Sequence, residues 1–112
     1  MKDFIIVTTP TLEGYRIVKY IDVIFEENIF GISLNTSVQS FNDIFKGFSG
    51  ERYDAMSDRI EEVKIEVKKR FIRKAIRHGA NALIGVDIET TTTQNGGITI
   101  SMSGTAVIVE KI

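Results

Sequence analysis

The sequence predicts an α+β domain: an antiparallel β-sheet packed against one long and one short helix. Three observations carry this. One segment of nearly thirty residues has apolar side chains at helical spacing. Apolar residues alternate in runs on both sides of it, as strands require. Glycines and a proline punctuate the boundaries between these segments.

Phe4 to Thr8 reads as a short strand that stops at Pro10, because proline cannot donate to a ladder. Tyr15 to Leu34 then reads as two strands, with Glu26-Glu27-Asn28 as the turn. Both alternating sets are apolar there: Ile17, Ile21, Val23 and Phe25 on one, Val18, Tyr20 and Ile24 on the other. A ribbon with one wet face alternates cleanly, so this one is expected to bury much of both faces.

Asn35-Thr36-Ser37 supplies N-cap side chains for a short helix carrying Val38, Phe41, Ile44, Phe45 and Phe48. The long helix runs from about Glu51 to His78 and stops at Gly79, a residue free to take the left-handed conformation. Acidic residues (Glu51, Asp54, Asp58, Glu61, Glu62) crowd its first half and basic ones (Lys68, Lys69, Arg70, Arg73, Lys74, Arg77) its last turns. That order complements the helix dipole, and Glu66 with Arg70 forms a favourable i,i+4 pair.

Tyr53, Met56, Ile60, Val63, Val67 and Phe71 form one stripe along this helix, while Ile65, Ile72 and Ile76 fall nearly opposite. One stripe can pack on the chain's own sheet, and the second needs another partner. Length points the same way. Twenty-eight helical residues span about 42 Å, against a radius of gyration of about 13 Å for a domain of this size. An obligate homo-oligomer is expected. Ala82 to Thr90 follows as a strand with Ile84, Val86 and Ile88 on one face, then a turn at Gln94-Asn95-Gly96-Gly97. Ile98 to Val109 closes the chain as a long strand, with Ile98, Ile100, Met102, Ala106 and Ile108 on its apolar side. Gly104 marks a bend, a bulge or a close backbone approach.

The 112 residues, 43% hydrophobic and 26% charged, make a single domain over 1–112 with a modest core. A net charge of −1 gives no reason to expect nucleic acid or an anionic membrane as partner. The absence of cysteine excludes disulfides, thiolate metal sites and cysteine nucleophiles. The apolar run at the N-terminus is too short for a signal peptide, and no segment approaches the roughly 20 apolar residues of a membrane span. A cytoplasmic protein is expected.

Chemical signals are sparse. In "GANALIGVDIE" (79–89) the two glycines have the wrong spacing for a phosphate loop. The order is also helix then strand, so the helix turns its C-terminal end to the loop rather than the N-terminus an anion needs. Asp87 and Glu89 lie on one strand face, about 6.6 Å apart along it, as a shared hard cation or an acid–base pair would require. A solvated or interface-paired strand face is the simpler account, since the sequence shows no further ligand cluster. His78, the single histidine, falls on the main helical stripe, where packing or capping of the last carbonyls is the simpler role. Arg73, Lys74 and Arg77 could hold an anion, although dipole complementation explains them without a ligand. Thr8, Thr9 and Glu13 are polar, lack a core role, and are the candidates for a small ligand.

"VTTPTLEGYRIVKYI" (7–21), "SFNDIFKGFSG" (40–50), "HGANALIGVDIE" (78–89) and "SGTAVIV" (103–109) resemble the YbjQ family across nearly the whole chain. The resemblance implies a YbjQ-like, dodecin-subunit-like α+β fold that assembles as a ring, a pentamer. It also implies a heavy-metal-binding domain, the role some descriptions give the family. Where the family commonly has Gly-Gly-Arg-Ser, this chain has Lys46-Gly47-Phe48-Ser49; Arg52 is near enough in sequence to stand in for that arginine. Soft metals favour Cys, Met or several His ligands, and the three methionines are scattered at core-like positions. The residues therefore predict a non-enzymatic homo-oligomer with no evident cofactor, binding a small ligand or partner between subunits. The alternative is a metal-dependent protein that assembles Asp87, Glu89 and His78 from adjacent subunits.

Overall fold

The computed structural model describes residues 4–31, 50–92 and 96–112, with backbone alone over 50–56. The short helix expected around residues 38–48, the Tyr53 and Met56 side chains, and Gln94 and Asn95 of the turn at 94–97 lie outside the described residues. Four strands and one helix are described: β1 (Ile5–Ile6), β2 (Tyr15–Gly31), α1 (Gly50–Arg77), β3 (Ala82–Thr92) and β4 (Gly97–Lys111). The sheet order is β1-β3-β4-β2.

The helix follows from its sequence. Val63, Val67, Phe71 and Ala75 recur every four residues and are all buried, with Ile60 half-buried at the head of the stripe. The helix ends where expected. Gly79 has φ +92°, and its N–H donates to the Ile76 carbonyl at 2.9 Å, while Ala80 N–H reaches Ala75 at 3.1 Å. These bonds satisfy carbonyls that the last helical turn leaves open. Ile65 and Ile76, on the opposite side, stay 54% and 42% exposed.

The sheet departs from expectation in three places. It is mixed rather than wholly antiparallel: β1 runs parallel to β3, with Ile5 beside Ala82 and Ile6 beside Leu83. The expected turn at Glu26–Asn28 is absent, because β2 continues through it in register with Met102, Ser101 and Ile100 of β4. These three residues include neither glycine nor proline to favour a reversal, and the continuous ladder with β4 holds them extended. Ile84 and Val86 do not share a face. The β3–β4 register shifts between Ile84 and Asp87, and Gly85 sits there with φ +59°. The inserted residue flips the alternation, so Ile84 joins one core cluster and Val86 the other.

The main core lies between sheet and helix: Val67 and Phe71 against Ile98, Ile100, Met102 and Ala106, closed by Ile24 and Leu83. A smaller cluster occupies the other sheet face at one end, with Ala82, Ile84, Val107 and Val109 under Ile5, Val7, Leu12, Tyr15 and Ile17. Val107 and Val109, rather than Ile108, are therefore the buried residues near the end of β4. Asn81 locks this end. Its side-chain amide donates to the Val109 carbonyl and accepts from the Val109 N–H, both at 2.8 Å, mimicking one more rung of the ladder.

The described residues extend 54 × 24 × 23 Å with a radius of gyration of 17.6 Å, well beyond the roughly 13 Å of a compact domain of about 100 residues. Among them, no helix is long and apolar enough to cross a membrane.

Candidate functional site

Beyond the bulge, strand alternation puts Asp87 and Glu89 on the sheet face turned away from α1. Asp87 pairs with Ser103 and Glu89 with Ser101, and across β4 those serines pair with Phe25 and Glu27. Thr91, Thr99 and Ile29 form the next row. Both carboxylates are exposed, and neither forms an ion pair with a described residue. Glu27 and Glu89 flank Ser101 two strand spacings apart, about 10 Å, too far to share one cation.

That same face carries large apolar side chains. Val23, Phe25 and Ile29 are 60%, 66% and 65% exposed. Val18 and Tyr20, beside the two register shifts in β2, are also exposed. The ribbon therefore leaves its second face open within one chain, contrary to the burial expected of it. Its outer edge is guarded from the helix. Lys74 Nζ donates to the Phe25 carbonyl at 3.0 Å and sits 5.4 Å from the Phe25 ring centroid. An Arg70 terminal nitrogen donates to the Glu27 carbonyl at 3.3 Å. Edge carbonyls covered by cationic side chains are a poorer template for indiscriminate strand pairing.

The remaining candidates separate. Thr8 lines a shallow, mainly apolar cleft of about 150 Å³ with Ile6, Val86, Ile88, Met102 and Lys68. Thr9 is occupied by structure: its hydroxyl donates to the Thr11 carbonyl at 2.7 Å, and its own carbonyl accepts from Gly85 N–H at 2.8 Å. Glu13 is exposed in the turn before β2. His78 is exposed rather than packed on the helical stripe, because it lies just beyond Arg77, the last helical residue. Its Nδ1 is 2.8 Å from the Lys74 carbonyl; a carbonyl only accepts, so this nitrogen carries the proton and caps the helix end. No group of three or more His, Cys, Asp or Glu side chains suited to a metal occurs among the described residues. His78, Asp87 and Glu89 are thus not gathered into one set within a chain.

A second cleft, of about 210 Å³, lies along the helix between Glu66, Lys69, Arg70 and Arg73. Arg70 Nε is shut off from solvent and has no partner among the described residues. Sequence reasoning placed Lys69 and Arg70 in the basic half of the helix but named only Arg73, Lys74 and Arg77 as anion candidates. The signal of Lys69 and Arg70 was present in the charge order of the helix, where dipole complementation seemed a sufficient cause.

A family model described as "Putative heavy-metal-binding" matches residues 4–110. The chain belongs to the YbjQ family. A UPF0145 protein from Clostridium botulinum (strain Alaska E43 / Type E3) is 36% identical over 108 residues, covering 95% of this chain and 99% of the relative. A UPF0145 protein from Listeria ivanovii is 33% identical over 108 residues, covering 95% and 96%. The fold has a solved counterpart in a protein of unknown function of the DUF74 family from Pediococcus pentosaceus ATCC 25745. The two superpose with a TM-score of 0.65 at 17% identity, over 96% of this chain and 98% of that one. At that identity the likeness speaks for the fold. The YbjQ description speaks of heavy metals, whereas this member has no cysteine and no three-ligand group among its described residues.

Proposed function

We propose that this YbjQ protein is a non-catalytic, self-assembling protein of the cytoplasm. It works as a homo-oligomeric ring, a pentamer as the family resemblance implies, and offers a binding surface for a small ligand or partner where subunits meet. The supporting observation is the stripe of Val23, Phe25 and Ile29, each at least 60% exposed, on the sheet face that also carries Asp87 and Glu89, neither of which forms an ion pair with a described residue. Scattered surface apolar residues are ordinary, but an ordered row along one strand marks a surface that another surface covers. The exposed Ile65 and Ile76 on the far side of the helix and the elongated outline support the same reading.

Sedimentation velocity on Phe25→Glu and, separately, Ile72→Glu tests it. Both are expected to sediment as folded monomers while the wild type sediments as one larger species. Oligomers of unchanged size in both variants would overturn the proposal.

A second reading is favoured by the placement of Asp87 and Glu89 on one exposed strand face. Repeated around a ring axis, they would supply a carboxylate-lined cation site that a single chain does not hold. Its test is metal retention by Asp87→Asn; tight binding unaffected by that change would exclude these carboxylates.

A further inference from the structure

β2 stands at the edge of the sheet, paired with β4 on one side only. It is 17 residues long and presents Val23, Phe25 and Ile29 exposed. A long apolar edge of this kind is a template for a further strand. Yet its outward backbone groups are taken one after another. Val23 N–H donates to the Asp22 carboxylate at 2.8 Å. The Phe25 carbonyl accepts from Lys74 Nζ at 3.0 Å, and the Glu27 carbonyl accepts from Arg70 at 3.3 Å. These are alternate residues, whose backbone groups point away from β4.

Helix and strand spacing explain the match. Lys74 and Arg70 stand about one turn apart on α1, roughly 6 Å of rise. Phe25 and Glu27 stand two residues apart on β2, about 6.6 Å. Glu66, about one turn before Arg70, is a carboxylate that only accepts and cannot cap a carbonyl. It is exposed and forms no ion pair with a described residue. The Glu66–Arg70 pair that the sequence predicts therefore gives way to the Glu27 contact. Arg70 holds that contact at a cost, since its Nε is shut off from solvent without a partner among the described residues. Nearer the start of β2, register shifts between Ile17 and Lys19 and between Tyr20 and Asp22 break the regular row of edge groups.

We infer that the β2 edge is closed to strand addition. The two irregularities bar a further strand up to Asp22, and Asp22, Lys74 and Arg70 bar it from Val23 to Glu27. The excluded partner is any extended chain, whether unfolded or a strand of another copy. This does not rest on the assembly proposed above, because a single chain carries the same edge.

The experiment compares Arg70→Ala/Lys74→Ala with the wild type in the full chain. Circular dichroism checks folding at the outset, and thioflavin T fluorescence with sedimentation follows incubation. The folded double variant is expected to pass into thioflavin-positive, sedimenting material under conditions where the wild type forms none. Loss of two cations makes a chain of net charge −1 more acidic, which favours solubility, so growth would run against the charge change. Lys69→Ala/Arg73→Ala removes the same charge from the same helix without touching the edge, and is expected to behave as the wild type. Glu27→Pro added to the double variant is expected to suppress growth. The Glu27 N–H points away from β4, so proline there blocks an incoming strand without breaking the existing ladder.

A folded double variant that stays at the wild-type mass and thioflavin-negative would overturn the inference. Equal growth by Lys69→Ala/Arg73→Ala, or growth undiminished by Glu27→Pro, would also overturn it. Should the double variant fail to fold, Lys74→Ala alone, read in the same way, decides.

Discussion

Gly104 of β4 is pressed against Val86 of β3 at the point where the ladder between them loses register. A Cβ at Gly104 would stand 2.9 Å from Val86 Cγ2, 3.2 Å from the Ile84 carbonyl oxygen and 3.4 Å from Phe71 Cζ. The bulge at Gly85 turns Val86 into the core and leaves Asp87 on the open face. Its geometry depends on the absence of a side chain opposite. The same two glycines therefore set which residues the outer surface presents.

Gly104→Ala is expected to cost about 1–3 kcal/mol by overpacking, read as a lower urea midpoint at unchanged slope. Val86→Ala in the same chain should recover part of the loss, because it removes the nearest atom. A neutral Gly104→Ala would mean that the ladder accommodates a methyl group, and the packing account would be wrong.

Asn81→Ala removes both bonds to the Val109 backbone and leaves a part-buried N–H and carbonyl without that partner. A loss of about 1–3 kcal/mol is expected, again by urea unfolding, together with faster amide exchange at Val109. Exchange at Val109 unchanged from wild type would show that the amide clamp is dispensable.

The long helix, its glycine stop and the two late strands were legible in the sequence, and the close approach at Gly104 was one of the three readings its glycine allowed. Each rests on a local pattern: a repeat of apolar residues, a dipole-matched charge order, or a glycine where a side chain would interfere. The continuity of β2 was not legible. Glu26, Glu27 and Asn28 look like a turn, and only pairing with a distant strand shows that they lie on a ladder. Nor was the split of Ile84 from Val86, since a bulge is invisible to an alternation count unless Gly85 is known to have positive φ. Asp87 and Glu89 were correctly placed on one face. The apolar row beside them comes from β2, joined only through β4, so no spacing in the chain announces it.

Cadmium titration of a monomeric Phe25→Glu chain, followed by calorimetry, is expected to show no heat beyond dilution. Soft cations require thiolate, thioether or several imidazole donors in one place, and the described residues of one chain gather no such set. Stoichiometric binding to the monomer would reinstate a metal site within the chain.

Self-assembly is the central claim, and native mass spectrometry of the wild-type protein, purified without chelators, tests it most directly. The account predicts one discrete closed assembly, of five chains as the family resemblance implies, that persists at low micromolar concentration. A monomer of 12.6 kDa under those conditions would contradict it.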